Sequence, residues 1–80
     1  MKIFIANFGY NVNEEDLKGF FIPYGEVQKA VIIKKPKGRS RGFGFVDMPD
    51  DNAARHAIAE LHEGKVEGKV VTVVPAKLST

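Results

Sequence analysis

Residues 41–48 read RGFGFVDM, and the alternation of glycine and phenylalanine from Gly42 to Phe45 constrains this chain more than any other stretch. Successive side chains on a strand leave opposite faces of the sheet, so Phe43 and Phe45 share one face while Gly42, Gly44 and Val46 share the other. Glycines suit the face against which helices pack closely, which turns Arg41 and both rings toward solvent, where rings lose the benefit of burial. In residues 2–7, KIFIAN, the same parity with Ile3 and Ile5 inward turns Phe4 outward. Two alternatives stand beside this reading. Reversed parity would bury Phe43 and Phe45 and leave two glycines and a valine as the open face, and a terminal extension or partner protein could cover the rings.

The other segments supply the layers around that strand. KIFIAN is a β-branched and aromatic run that ends before the turn-prone Phe8-Gly9-Tyr10-Asn11. Asn13 followed by Glu14, Glu15 and Asp16 has the form of a helix cap with acids against the positive end of the helix dipole. Leu17, Phe20, Phe21 and Tyr24 recur at the spacing of one helical face and are assigned to the core; Pro23 and Gly25 stop the helix. Val27 to Ile33 predicts a second strand, Lys35-Pro36-Lys37-Gly38 a polar tip, and Arg41 to Asp47 the antiparallel return. Asp50 caps a second helix with Ala54, Ala57, Ile58 and Leu61 as its apolar stripe, and Gly64 is its expected stop. Val66 reads as a short extended piece before Gly68, and Val70 to Val74 as the last strand, closed off by Pro75. The order is βαββαβ. Two amphipathic helices can cover only one face of such a sheet, giving a two-layer α+β sandwich with the other face left to water.

Composition narrows the chemistry. A chain of 80 residues supports one modest core, and the absence of cysteine removes disulfides and thiolate metal sites. No stretch approaches the roughly 18 apolar residues of a membrane span and no signal-like run opens the chain, so a soluble, intracellular protein is expected. The net charge of +2 says little; its distribution says more, because Lys34, Lys35, Lys37, Arg39 and Arg41 cluster without an acid among them. Such a run is often only a solvated turn. Beside outward rings it gains a second meaning, since a nucleobase stacked on an aromatic side chain contributes roughly 1–3 kcal/mol and flanking cations can follow a phosphate backbone. His56 and His62 are six apart on the second helix and do not share a face, the Gly-Lys pairs lack the spacing of a phosphate loop, and Asp47, Asp50 and Asp51 read as a strand end and a helix cap. Neither enzyme activity, cofactor nor metal is expected.

At this point the residues carry a family resemblance. Arg41-Gly42-Phe43-Gly44-Phe45-Val46-Asp47-Met48 resembles the RNP1 octamer of RNA-recognition motifs at every position but Met48, where Phe or Tyr is usual. Ile3-Phe4-Ile5-Ala6-Asn7-Phe8 resembles the companion RNP2 hexamer, with Phe8 where Leu is common. The likeness spans about residues 2 to 77 and includes Glu15-Asp16-Leu17, Phe21, Tyr24-Gly25 and Gly68-Lys69.

The resemblance implies a ferredoxin-like α+β fold, a four-stranded antiparallel sheet with both helices on one face, and a single RNA-recognition domain over 1–77 with a tail at 78–80. It implies that Phe4 and Phe43 or Phe45 stack bases or sugars, that Arg41 contacts a phosphate, and that Ala76 and Lys77 lie across the bound strand, although Pro75 removes a backbone donor there. Met48 is expected inward. Lys37 and Arg39 are assigned to phosphates, Lys29 and Thr72 to polar contacts on the sheet, and Val31, Ile33 and Val74 to apolar ones. The expected partner is single-stranded RNA, with single-stranded DNA as the alternative because stacking does not read the 2′-hydroxyl. A monomer is expected, away from membranes and in the cytoplasm, or the nucleus of a eukaryote, and a helix-face protein partner is compatible with RNA. Met1 directly before the first strand and the short tail suggest a small complete protein. The same arrangement serves acylphosphatase-like enzymes and metal chaperones. This chain lacks the early Gly-rich anion loop with Arg of the first and the thiolate pair of the second. The rival that remains is a protein-interaction module of the same fold, and the three retained rings favour RNA over it.

Overall fold

The structure, a computed structural model, describes residues 1–8, 12–34, 40–66 and 68–76. The elements follow the predicted order: β1 (Lys2–Ala6), α1 (Glu14–Phe21) running into a 3-10 turn (Ile22–Tyr24), β2 (Lys29–Lys34), β3 (Ser40–Asp47), α2 (Asp51–Leu61), β4 (Lys65–Val66), β5 (Lys69–Val70) and β6 (Thr72–Pro75). The main sheet has the order β2-β3-β1-β6 with every neighbouring pair antiparallel. This is the ferredoxin-like α+β sandwich expected from the sequence. Leu17 and Phe21 of α1 and Ala54 and Ala57 of α2 are buried against Ile3, Ile5, Ile32, Val46 and Val73 of the sheet. Phe20 and Tyr24 pack at the border of that core, and Met48 is fully buried within it.

Local chemistry accounts for the helix starts. The Asn13 side chain accepts from the Asp16 backbone N–H at 2.8 Å, and Asp16 Oδ2 accepts from the Asn13 N–H at 3.2 Å, a reciprocal capping box. Asp50 caps α2 by accepting from Asn52 and Ala53. Asn13→Ala is expected to lower stability by about 1 kcal/mol, whereas Asn13→Asp retains most of it; urea denaturation of the two variants separates these outcomes.

Three details depart from the sequence reading. The strand expected over Val70 to Val74 is divided. Lys69–Val70 pairs with Lys65–Val66 in a separate hairpin, turned by Gly68 at a φ of 80°, and β6 begins only at Thr72. Between them Val71 is buried, its N–H donating to Gly64 O and its carbonyl accepting from Glu63, so it serves the core and a backbone crossing at once. Second, Glu63 and not Gly64 takes the left-handed turn after α2, with a φ of 64°; the Glu63 N–H bond to Val71 O, at 2.8 Å, holds it there. Third, β2 starts at Lys29, and Val27 is a buried residue of the approach whose neighbour Gln28 donates to Asp47 O.

The outer strands carry side-chain partners for their backbone. Glu14 Oε2 accepts from the Ile32 N–H at 3.1 Å on β2, and His62 Nδ1 accepts from the Val73 N–H at 3.1 Å on β6. Unpaired strand edges invite pairing with other chains, and these contacts blunt both. His62, although exposed, therefore has a structural duty at the sheet edge.

Candidate nucleic-acid interface

Burial alternates along β1 and along residues 43–48, with Ile3, Ile5, Gly44, Val46 and Met48 buried and Phe4, Phe43 and Phe45 partly exposed. The parity expected from the glycines is the parity observed. Its reason is steric as well as hydrophobic: a Cβ on Gly44 would stand 2.3 Å from the Val31 carbonyl oxygen and 3.3 Å from Leu17 Cδ2. The inward face of β3 has no room for a side chain at this position.

Register then sets the rings in place. Phe4 lies opposite Phe45 on β3 and Val74 on β6, and Phe45 lies opposite Val31 on β2, so Val31, Phe45, Phe4 and Val74 form one row across the sheet. Phe43, Ala6 and Thr72 form the next row on one side. Lys29, Asp47 and Lys2 form the row on the other. The Phe4 ring centroid is 5.8 Å from Phe43 and 5.6 Å from Phe45, with the planes tilted by 40° and 58°. Each ring thereby shelters part of its neighbour, which explains why all three are only partly exposed. Lys2 Nζ lies over the Phe45 ring, 5.9 Å from its centroid.

Of the residues singled out from the sequence, Phe4, Phe43 and Phe45 come together at the centre of the face. Thr72 and Lys29 are exposed one row away on opposite sides. Val31 and Val74 complete the ring row. Ile33 is not paired opposite Phe43, because the β2–β3 register shifts between Ile32 and Lys34. Arg41 falls on β3 itself, two positions before Phe43. Lys37, Arg39 and Lys77 lie outside the described residues. Ala76 continues the pairing of β6 past Pro75 by donating to Lys2 O at 2.9 Å, and Pro75 is tolerated because β6 is the last strand of the sheet.

Sequence reading missed Lys2 and Asp47 as members of this face. Alternation alone puts both on the side of Phe4 and Phe45, so the signal was present; Asp47 was read as a strand end. Elsewhere, His56 stands edge-on to Tyr24 and 3.9 Å from Glu60. Among the described residues no group of three or more His, Cys, Asp or Glu side chains gathers to hold a metal ion. No described helix is long and apolar enough to cross a membrane.

Known proteins resemble this chain in sequence and in shape. The chain matches the model of the RNA recognition motif over residues 3–72. It is 39% identical over 77 residues to Glycine-rich RNA-binding protein 8 of Arabidopsis thaliana, an alignment covering 95% of this chain and 46% of that protein. It is 40% identical over 78 residues to the protein RbpD of Nostoc sp., covering 96% of this chain and 83% of that one. The chain thus spans about half of the first relative and most of the second. The crystal structure of RNA binding protein PG1 superposes with a TM-score of 0.94 at 44% identity, covering 100% of this chain and 98% of that chain.

Proposed function

The chain belongs to the RNA recognition motif family, and from that premise we propose that it binds single-stranded RNA by stacking bases on the open face of its sheet. One observation carries the reading: three phenylalanine rings from two adjacent strands cluster on the face that the helices leave uncovered. Stacking on such rings is indifferent to base identity and contributes roughly 1–3 kcal/mol per base. Two or three stacks must also offset the ordering of a flexible strand, which leaves an affinity of roughly micromolar order, near −8 kcal/mol.

The charged and polar residues fit around that centre by their chemistry. Arg41, together with Lys37 and Arg39 that precede it in sequence, neutralises phosphates; Lys29 and Thr72 make polar contacts beside the rings; Lys77, two residues beyond Pro75 in sequence, contacts the bound strand. Each phosphate neutralised contributes about −0.7 to the slope of log affinity against log salt for a single strand. The domain acts as a monomer inside the cell, and single-stranded DNA is a weaker or equal ligand according to how many 2′-hydroxyl contacts the polar residues make.

Titration of short random single-stranded RNA, followed by backbone amide shifts, tests the proposal. The largest shifts are expected in β1 and β3 around Phe4, Phe43 and Phe45, with small ones on α1 and α2. Saturating RNA that leaves the sheet unmoved overturns it in favour of a protein-interaction module.

A further inference from the structure

The row beside the rings has a feature that base stacking does not use. Asp47 stands between Lys2 and Lys29 in the register of three strands. The three side chains, with Val31 and Phe45, line an opening of about 250 Å³ on the open face. That lies a little below the roughly 300 Å³ at which clefts for whole ligands begin, a size suited to one edge of a group whose ring rests on Phe45.

A carboxylate on a surface that receives a polyanion opposes binding unless it accepts hydrogen bonds from the ligand. A cross-strand ion pair would be the simplest alternative use of Asp47. Yet among the described residues its ion-pair partner is the amino-terminal ammonium, at 4.0 Å, and neither Lys2 nor Lys29 approaches that closely. The side chain is 40% exposed. Two ammonium donors and one carboxylate acceptor therefore face the same opening without being joined to each other.

We propose that this row reads a guanine base stacked on Phe45, with Asp47 accepting from its N1–H and N2 amino group and an ammonium of Lys2 or Lys29 donating to O6. The inference rests on the RNA-binding reading above and adds base preference to it. Unpaired bases expose their Watson–Crick edges to side chains. Only guanine has two adjacent donors on that edge, in the fork that a guanidinium also presents, and a carboxylate takes such a fork with two parallel bonds. Adenine and cytosine each place a ring acceptor beside the amino group, which would face the second carboxylate oxygen. Uracil has one N–H between two carbonyls. The guanine O6 continues the same edge and meets a cation. Lys2 Nζ already lies over the Phe45 ring, so a base settling there displaces it toward the edge of the base.

Fluorescence anisotropy with labelled UUGUU, UUAUU and the inosine oligomer UUIUU tests this on the wild type and on Asp47→Asn. Wild type is expected to bind UUGUU about tenfold more tightly than UUAUU, and inosine, which lacks the N2 amino group, to lose most of that advantage. In Asp47→Asn the guanine-to-adenine ratio is expected to fall to about unity; as a ratio it is separate from the general gain in affinity that removing a negative charge brings. Wild-type affinities that are equal for the three oligomers, or a guanine preference that survives Asp47→Asn, overturn the assignment while RNA binding itself stands. Failure of all three oligomers to bind the wild type defeats the RNA-binding reading and this inference with it. Thermal denaturation of Asp47→Asn checks the fold, which is expected intact because the Asp47 group that pairs with Gln28 is its backbone carbonyl.

Discussion

Alanine at both Phe43 and Phe45 is expected to weaken single-stranded RNA binding by about 2–6 kcal/mol, on the order of 30-fold to 10⁴-fold, taking a micromolar interaction toward or beyond the millimolar range. Both rings lie within one ring contact of Phe4, so the double variant removes two platforms and leaves the third without its neighbours. The cost to folding is smaller than for a core phenylalanine because both side chains are only partly buried. The Phe43→Leu, Phe45→Leu variant sharpens the test: leucine retains most of the apolar cover of the sheet but has no π face. Anisotropy titration is expected to find the leucine variant nearly as defective as the alanine one, with circular dichroism showing both folded. A leucine variant that binds RNA like the wild type would mean that the rings act as apolar cover and that stacking is not the mechanism.

The largest effect on stability is expected at Gly44. An added Cβ meets the Val31 carbonyl oxygen at 2.3 Å and Ile32 Cα at 3.2 Å. Both are backbone atoms of the paired strand β2 and cannot turn aside as a flexible side-chain end would. Relief requires β2 and β3 to part, which breaks ladder hydrogen bonds and shifts Phe45 from its place beside Phe4. Gly44→Ala is therefore expected to lose about 3 kcal/mol or more, a large share of the roughly 4–12 kcal/mol available to a chain of this length. Gly44→Val is expected not to fold. Gly19, on the exposed surface of α1 with nothing within 4 Å of an added Cβ, provides the contrast. There the same change to alanine is expected to stabilise by about 0.5–1 kcal/mol, since glycine weakens a helix interior. Urea denaturation measures both. Equal and small changes at the two positions would show that the β2–β3 approach is softer than its geometry implies.

These two expectations rest on different kinds of information. That Phe43 and Phe45 share a face opposite the glycines follows from stereochemistry alone, because side chains must alternate along a strand whatever it is paired with, and Phe4 joins them once Ile3 and Ile5 are turned inward. The Asn13 and Asp50 caps, the stripe of Leu17 and Phe21, and the inward Met48 were legible for the same reason: each depends on the residue and its neighbours within a turn or two.

What distant segments do to one another was not legible. The sequence left open whether Phe4 would face Phe45 or slip by two, and that register decides whether three rings make one platform. It also decides that Lys2, Asp47 and Lys29 meet in one row, so a residue read as the end of a strand becomes a candidate for base recognition. The divided last strand depends on Val71 being drawn into the core while its backbone crosses Glu63 and Gly64, and His62 finds its use only because Val73 comes beside it. The sequence by itself determined the two capped helices, the strands around Phe4, Val31 and Phe45, and the alternation of side chains along each of them, since local sterics and periodicity suffice for these. Only the tertiary structure decided which residues stand opposite one another, because pairing joins segments tens of residues apart and is settled by how the whole core closes.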